Sequence, residues 1–374
     1  MKKLSTLVSV AFFALLIVGC EGPQGPQGAA GTDGVDGVDG VDGVNAAETC
    51  TDCHVSDVII FARQAQYANS LHGTGETVER GGAAYDNTDN SCAKCHSHDG
   101  FALFVEDGTT VSSGFDNPAR INCRTCHMIH TSYTQADWGL TINTPVTFDL
   151  DGTTGDFGSV ANLCINCHQS RAISPMPVVD GADVTLSSSR YGGHHGPQAQ
   201  IVGGTGLFEF GNITVTGGPN THGDVADNAA VCGGCHMYEP AWGDEAGGHT
   251  WSMEYDYHGT TEHFVQPCTQ AGCHASASDF DVNGVQTCVE DALAALATYL
   301  ENTPAAAPNG IKRTTGVYIN AGTYSANLAA AFLNLQLIEE DRSEGVHNPA
   351  YALQILEDTF AEFALATPAS CTMW

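Results

Sequence analysis

Five copies of one short pattern constrain this 374-residue chain more than anything else in it. They are Cys50-Thr-Asp-Cys53-His54, Cys92-Ala-Lys-Cys95-His96, Cys123-Arg-Thr-Cys126-His127, Cys164-Ile-Asn-Cys167-His168 and Cys232-Gly-Gly-Cys235-His236. A sixth is stretched by two residues, Cys268-Thr-Gln-Ala-Gly-Cys273-His274. Two thiols one helical turn apart can add to the two vinyl groups of one porphyrin, and the adjacent histidine then falls under the iron as its fifth ligand. A zinc ribbon also uses paired cysteines, but it needs no histidine directly after the second one. A disulfide scaffold leaves that histidine unexplained as well. The sequence therefore predicts six covalently bound c-type haems, with His54, His96, His127, His168, His236 and His274 as proximal ligands.

The chain opens Met1-Lys2-Lys3 and runs apolar from Leu7 to Val18, a charged start and short apolar core that read as an export signal. Gly19-Cys20 closes it in the manner of a lipoprotein signal, so residues 1–19 are expected to be removed and Cys20 lipidated. From Gly22 to Asn45 glycine falls at every third position, the requirement of a collagen strand. With only two prolines the run reads as an extended tether of about 75 Å, with a trimeric stalk as the alternative. No later segment is long and apolar enough to cross a bilayer. Twelve basic residues against 43 acidic ones give a net charge of −31, which repels nucleic acid and anionic lipid and could steer cationic partners or metal cations.

The expected fold class is a mostly irregular and α-helical haem-packed body with few short strands, closed by a C-terminal helical cap. The body spans 46–280 and the cap 281–374, after the tether at 20–45. In the body, 56–71 is predicted helical, and 140–150 and parts of 206–216 alternate like short strands. In the cap, helical periodicity covers 286–300, 327–340 and 349–364, with Asn348-Pro349 reading as a cap followed by proline in the first turn. Of fifteen cysteines, Cys20 and the twelve haem thiols leave Cys288 and Cys371. Antiparallel helices would bring them together, which predicts a disulfide.

Ten histidines lie outside the motifs: His72, His98, His130, His194, His195, His222, His249, His258, His263 and His347. That is enough to give every iron a second imidazole. Met128 and Met237 follow motif histidines and are held on the proximal side. His98, two residues past His96, is expected to face solvent.

The phrases Ser70-Leu71-His72-Gly73, Asn162-Leu-Cys-Ile-Asn-Cys-His168-Gln-Ser-Arg171, His194-His195-Gly196-Pro197-Gln198, Gly247-Gly248-His249-Thr250, Asp279-Phe280-Asp281 with Gly284-Val-Gln286, and Arg342-Ser-Glu-Gly345-Val346-His347-Asn348-Pro349-Ala350-Tyr351-Ala352 resemble a family of bacterial multihaem c-type cytochromes. The last phrase also resembles the C-terminal helical region of pentahaem nitrite reductases. The resemblance covers most of 48–366 and implies His72, His130, His194, His222, His249 and His347 as distal ligands. His195 is the rival to its neighbour His194, and His258 and His263 are the rivals to His222. His130, three residues after His127, is expected to let one short helix serve two irons.

The expected function is electron transfer by an exported outer-membrane lipoprotein, between membrane-associated donors and periplasmic or extracellular acceptors: redox proteins or metal species. No residue is assigned a catalytic role. The alternative is a reductase of nitrite, hydroxylamine or a sulfur oxyanion with one open haem. The Cys-x-x-Cys-Lys motif of the nitrite reductases is missing from this sequence, and its acidity disfavours anionic substrates. A third reading is a haem-lined filament.

Overall fold

The motif segments wind into single turns because a Cys-x-x-Cys-His run is one turn long. In the computed structural model, the His96, His127, His168 and His236 amides donate to the carbonyls of Cys92, Cys123, Cys164 and Cys232 at 2.9–3.0 Å. The stretched motif closes the same way, with the His274 amide donating to Cys268 at 2.8 Å, so its extra residues bulge outward. The structure describes residues 54, 57–82, 92–108, 114–193, 196–223, 231–240, 243, 245–303, 310–313 and 319–372. Residues 1–53, with Cys20, the Gly-X-Y run, Cys50 and Cys53, lie outside the described residues.

The described part of Asn45–Trp374 is mostly helical and irregular, with few short strands. Its helices are α1 (Asp57–Asn69), α2 (Leu71–Thr74), α3 (Ala93–His96), α4 (His98–Asp107), α5 (Cys123–Cys126), α6 (Ser159–Cys164), α7 (Gln198–Gly203), α8 (Gly233–His236), α9 (Val285–Asn302), α10 (Ala326–Asp341) and α11 (Pro349–Glu362). Three two-stranded antiparallel pairs join β1 (Val146–Thr147) to β2 (Thr154–Gly155), β3 (Val184–Leu186) to β6 (Gly322–Tyr324), and β4 (Glu254–Tyr257) to β5 (Thr260–His263). The strand expected over 140–150 shrinks to β1. No described helix is long and apolar enough to cross a membrane.

The alternating stretch 206–216 forms no strand, and the reason lies far along the chain. Asp358 on α11 accepts from the amides of Phe210, Gly211, Asn212 and Ile213, and Asn334 on α10 brackets Phe208 through both its amide and its carbonyl. Polar side chains of two helices take the place of a partner strand.

The main apolar core surrounds α10, whose residues 328–338 are buried without interruption. Leu296 and Leu300 of α9 and Ile355 and Leu356 of α11 pack into it. The core crosses the boundary expected at 280, because Leu150, Ile173, Leu186, Tyr191, Ile201 and Phe210 belong to it. Cys288 and Cys371 are joined by a disulfide between α9 and the segment after α11. Asn348 caps α11 by accepting from the Tyr351 amide, and Pro349 occupies its first turn.

Candidate haem-ligand site

Short local devices place three of the histidines outside the motifs. Ser70 is fully buried, accepts from the Gly73 amide and donates to the Tyr67 carbonyl, and so caps α2, which carries His72. A side chain at Gly73 would sit 2.4 Å from the Tyr67 oxygen, so only glycine follows that histidine. The Gln66 side chain accepts from the His249 amide at 3.0 Å. A Cβ on Gly248 would lie 2.5 Å from that same Gln66 oxygen, at a backbone φ of +52°. The turn after α10 brings the His347 amide to the Ser343 hydroxyl at 3.2 Å.

The result is four pairs of imidazoles. His72 faces His168 at 6.1 Å between ring centres, His249 faces His127 at 6.3 Å, His347 faces His236 at 6.1 Å, and His222 faces His274 at 6.1 Å. Each pair joins one motif histidine to one from outside the motifs. An imidazole nitrogen sits roughly 2 Å from a first-row metal and about 1 Å ahead of its ring centre, so two rings sharing one ion stand about 6 Å apart. The angles between ring planes, 77°, 32°, 47° and 82° in the same order, are all compatible, because both planes need only contain the common axis. The donor set fits a haem iron. Among the described residues no cluster of three or more His, Cys, Asp or Glu side chains could hold a metal ion instead.

Hydrogen bonds at Nδ1 present Nε2 to the shared axis. His127 Nδ1 donates to the Trp138 carbonyl at 2.7 Å, His236 Nδ1 to the Trp251 carbonyl at 2.9 Å, and His222 Nδ1 to the Val346 carbonyl at 2.7 Å. A carbonyl can only accept, so the proton is fixed on Nδ1 and the Nε2 lone pair is left free. His347 Nδ1 bonds Asp341 at 2.7 Å, and the buried Asp341 carboxylate is in turn held by the Ser343 hydroxyl. Burial, followed by the neighbouring His168, pulls His72 down to about 4. Burial, with Arg63 and His127 adding to it, does the same to His249. Both rings thus stay neutral, as a metal ligand must. Burial also pushes His347 down, but the charge and hydrogen bond of Asp341, with the charge of Glu344, together outweigh it and the net direction is up.

Large apolar side chains beside these pairs have little protein over them. Leu71, next to His72, is 81 % exposed, and Met128 and Trp138 flank His127 at 38 % and 40 %. They suit an apolar macrocycle lying against them.

Some expectations change. His130 lies in a turn with φ +64° rather than on a helix, and its ring stacks on Tyr133; among the described residues it faces no imidazole. His98 is half-buried, with Nδ1 against the Thr125 hydroxyl at 3.0 Å, so it does not point freely into solvent. His258 sits beside Tyr257, and His263 stacks on Phe280 and contacts Glu254, which leaves His222 opposite His274. His54 is exposed, and His194 and His195 lie outside the described residues.

The structure also gives what sequence could not: which sites are neighbours. The Cys167 thiol reaches the Lys94 carbonyl inside the second motif at 3.9 Å and lies beside the Cys95 thiol, and the thiols of Cys164 and Cys232 are also close neighbours. The Cys126 thiol feels Cys164, and Cys235 feels Cys268 and Cys273. The fourth motif therefore borders the second, third and fifth, and the fifth borders the sixth.

No family model and no curated protein matches the sequence. Among solved structures, the crystal structure of the outer cell wall cytochrome OcwA is similar at 21 % identity over 80 % of this chain, with a TM-score of 0.46. The match covers 50 % of that protein, so this chain spans about half its length. A superposition this loose carries no argument about the site, whose chemistry rests on the imidazole pairs.

Proposed function

We propose that this chain is a multihaem c-type cytochrome that carries electrons. The observation behind the proposal is the four imidazole pairs at 6.1–6.3 Å, each with a motif histidine as one member. Haems held there supply one-electron couples at their irons. The thioether cysteines are Cys50, Cys53, Cys92, Cys95, Cys123, Cys126, Cys164, Cys167, Cys232, Cys235, Cys268 and Cys273, six haems in all. The chain's own part would be to offer two imidazoles to each iron, with His127, His222, His236 and His347 held at Nδ1, and to keep the sites adjacent. With both positions filled, no site remains for substrate at those four irons. In this reading the protein is exported, anchored through Cys20, and exchanges electrons with redox proteins or extracellular metal species. The pyridine haemochrome assay on purified protein should count six haems, and low-temperature EPR should show low-spin iron. A colourless preparation, or high-spin iron at these four sites, would overturn the proposal.

A reductase is the second reading, and it has one observation in its favour: His130, a distal ligand the resemblance implies, stacks on Tyr133 and faces no imidazole among the described residues. Cyanide or nitrite binding to the ferric protein, seen as a spin-state change in one haem of the set, would favour that reading.

A further inference from the structure

Trp251 touches one ligand from each of three imidazole pairs. Its indole meets His72 edge-on at 4.7 Å and 74°, and His249 at 5.5 Å and 63°. Its backbone carbonyl accepts from Nδ1 of His236 at 2.9 Å. These belong to the His72–His168, His127–His249 and His236–His347 pairs.

Two further observations show that the contact is built. Trp251 holds a left-handed backbone, φ +55° and ψ 4°, which a bulky residue adopts only when its surroundings impose it. Here Thr250 imposes it: its hydroxyl donates to the Gly247 carbonyl at 2.7 Å and accepts from the Ser252 amide at 3.1 Å, while the Gly247 amide donates to Ser252 at 2.9 Å. The second observation concerns orientation. His222 and His347 have their rings fixed by hydrogen bonds at Nδ1, to Val346 and Asp341. His249 Nδ1 is buried with no hydrogen-bond partner. No described residue hydrogen-bonds the His72 ring either. The two distal imidazoles that lack a polar anchor are the two on which the indole packs.

Resting on the cytochrome reading, we propose that Trp251 is the positioning residue for three haem sites: its indole sets the ring planes of His72 and His249, and its carbonyl fixes the tautomer of His236. Edge-to-face aromatic contacts are directional enough for this, since the ring edge and face carry opposite partial charge. Imidazole plane angles determine how far the g values of a ferric bis-imidazole iron spread, so EPR reads the proposed role directly.

The test compares Trp251→Ala, Trp251→Leu and Trp251→Phe in the full chain matured with haem. Haem content is measured first, because the thioether bonds depend on cysteines; if the unsubstituted protein lacks haem, the cytochrome reading fails and not this one. With haem present, Trp251→Ala should shift or broaden the signals of the His72–His168 and His127–His249 sites and leave that of His222–His274 unchanged. Trp251→Phe, which keeps a ring edge, should restore most of the original spectrum, and Trp251→Leu, which keeps only bulk, should not. If Trp251→Ala does not mature, the Phe and Leu variants carry the comparison. Unchanged EPR in the Ala or Leu variant, equal disturbance at the His222–His274 site, or equal rescue by Leu and Phe would each overturn the proposal.

Discussion

The helices α9 to α11 and the motif segments before them are held together by different forces. Helix α10 is apolar nearly all round and sits inside its neighbours, with Leu333 and Leu337 at 0 % exposure. The helices at the motifs, such as α3, α5 and α8, are four residues each, far too short to persist alone. The apolar cluster nearest them, around Phe148, Phe157 and Ile165, is small. One region is stabilised by burying its own side chains. The other is stitched by backbone bonds and polar anchors around facing imidazoles, and in the proposed reading bound haems would complete its core.

The largest expected effect breaks that comparison outright. Protein made without haem attachment should keep the α9–α11 core and lose order in the motif segments. Limited proteolysis read by mass spectrometry should then cut widely within 57–145 and 219–282 while sparing 285–372. Equal resistance in both regions would show that the motif segments fold on their own.

Asp358→Ala should come next. It leaves the amides of Phe210, Gly211, Asn212 and Ile213 without their acceptor, for a loss of about 3 kcal/mol in urea unfolding. The EPR of the His127–His249 site should stay the same, because the damage falls in the apolar region.

Asp341→Asn acts on the other side of the comparison. It replaces a charge-assisted bond to His347 with a neutral one, so in the proposed reading His347 would donate less electron density to an iron held there. One midpoint potential should rise by on the order of tens of millivolts in a spectroelectrochemical titration, since such bonds differ in strength by ~1 kcal/mol. Unfolding should be little affected while haem is bound.

The smallest effect is Glu344→Gln. Burial first, then the charges of Glu290, Glu254 and Asp341, raise the Glu344 carboxyl above its ordinary value. A group whose folded value lies above its unfolded one opposes folding once pH exceeds both, and does not below them. The substitution should therefore raise the urea midpoint slightly at pH 7 and leave it unchanged at pH 4. A gain that persists at pH 4 would point to packing instead.

Much of the apolar region was legible in the sequence. The helices expected over 286–300, 327–340 and 349–364 run Val285–Asn302, Ala326–Asp341 and Pro349–Glu362, because three-to-four periodicity and the Asn348-Pro349 cap are local signals. The motif histidines were legible through repetition. Their partners could not be read from periodicity: His72 meets His168 and His249 meets His127 across distant stretches of chain, and nothing local marks a ring's destination. His130 misled because proximity to His127 suggested a shared helix, whereas α5 ends at Cys126 and the chain turns. The 206–216 stretch misled because its alternation is real but its acceptor, Asp358, arrives from α11. Trp251 carried no signal at all, since its value lies in three contacts made in space.

The sixth motif has one more consequence. Its histidine amide reaches the first cysteine's carbonyl despite the added residues, and a side chain at Gly272 would meet nothing within 4 Å. The excursion from Thr269 to Gly272 is thus a spare loop at the rim of the sixth candidate site. It offers a point where a label, a surface tether or an electrode linker could be grafted within a few bonds of Cys268 and Cys273, with both cysteines left in place.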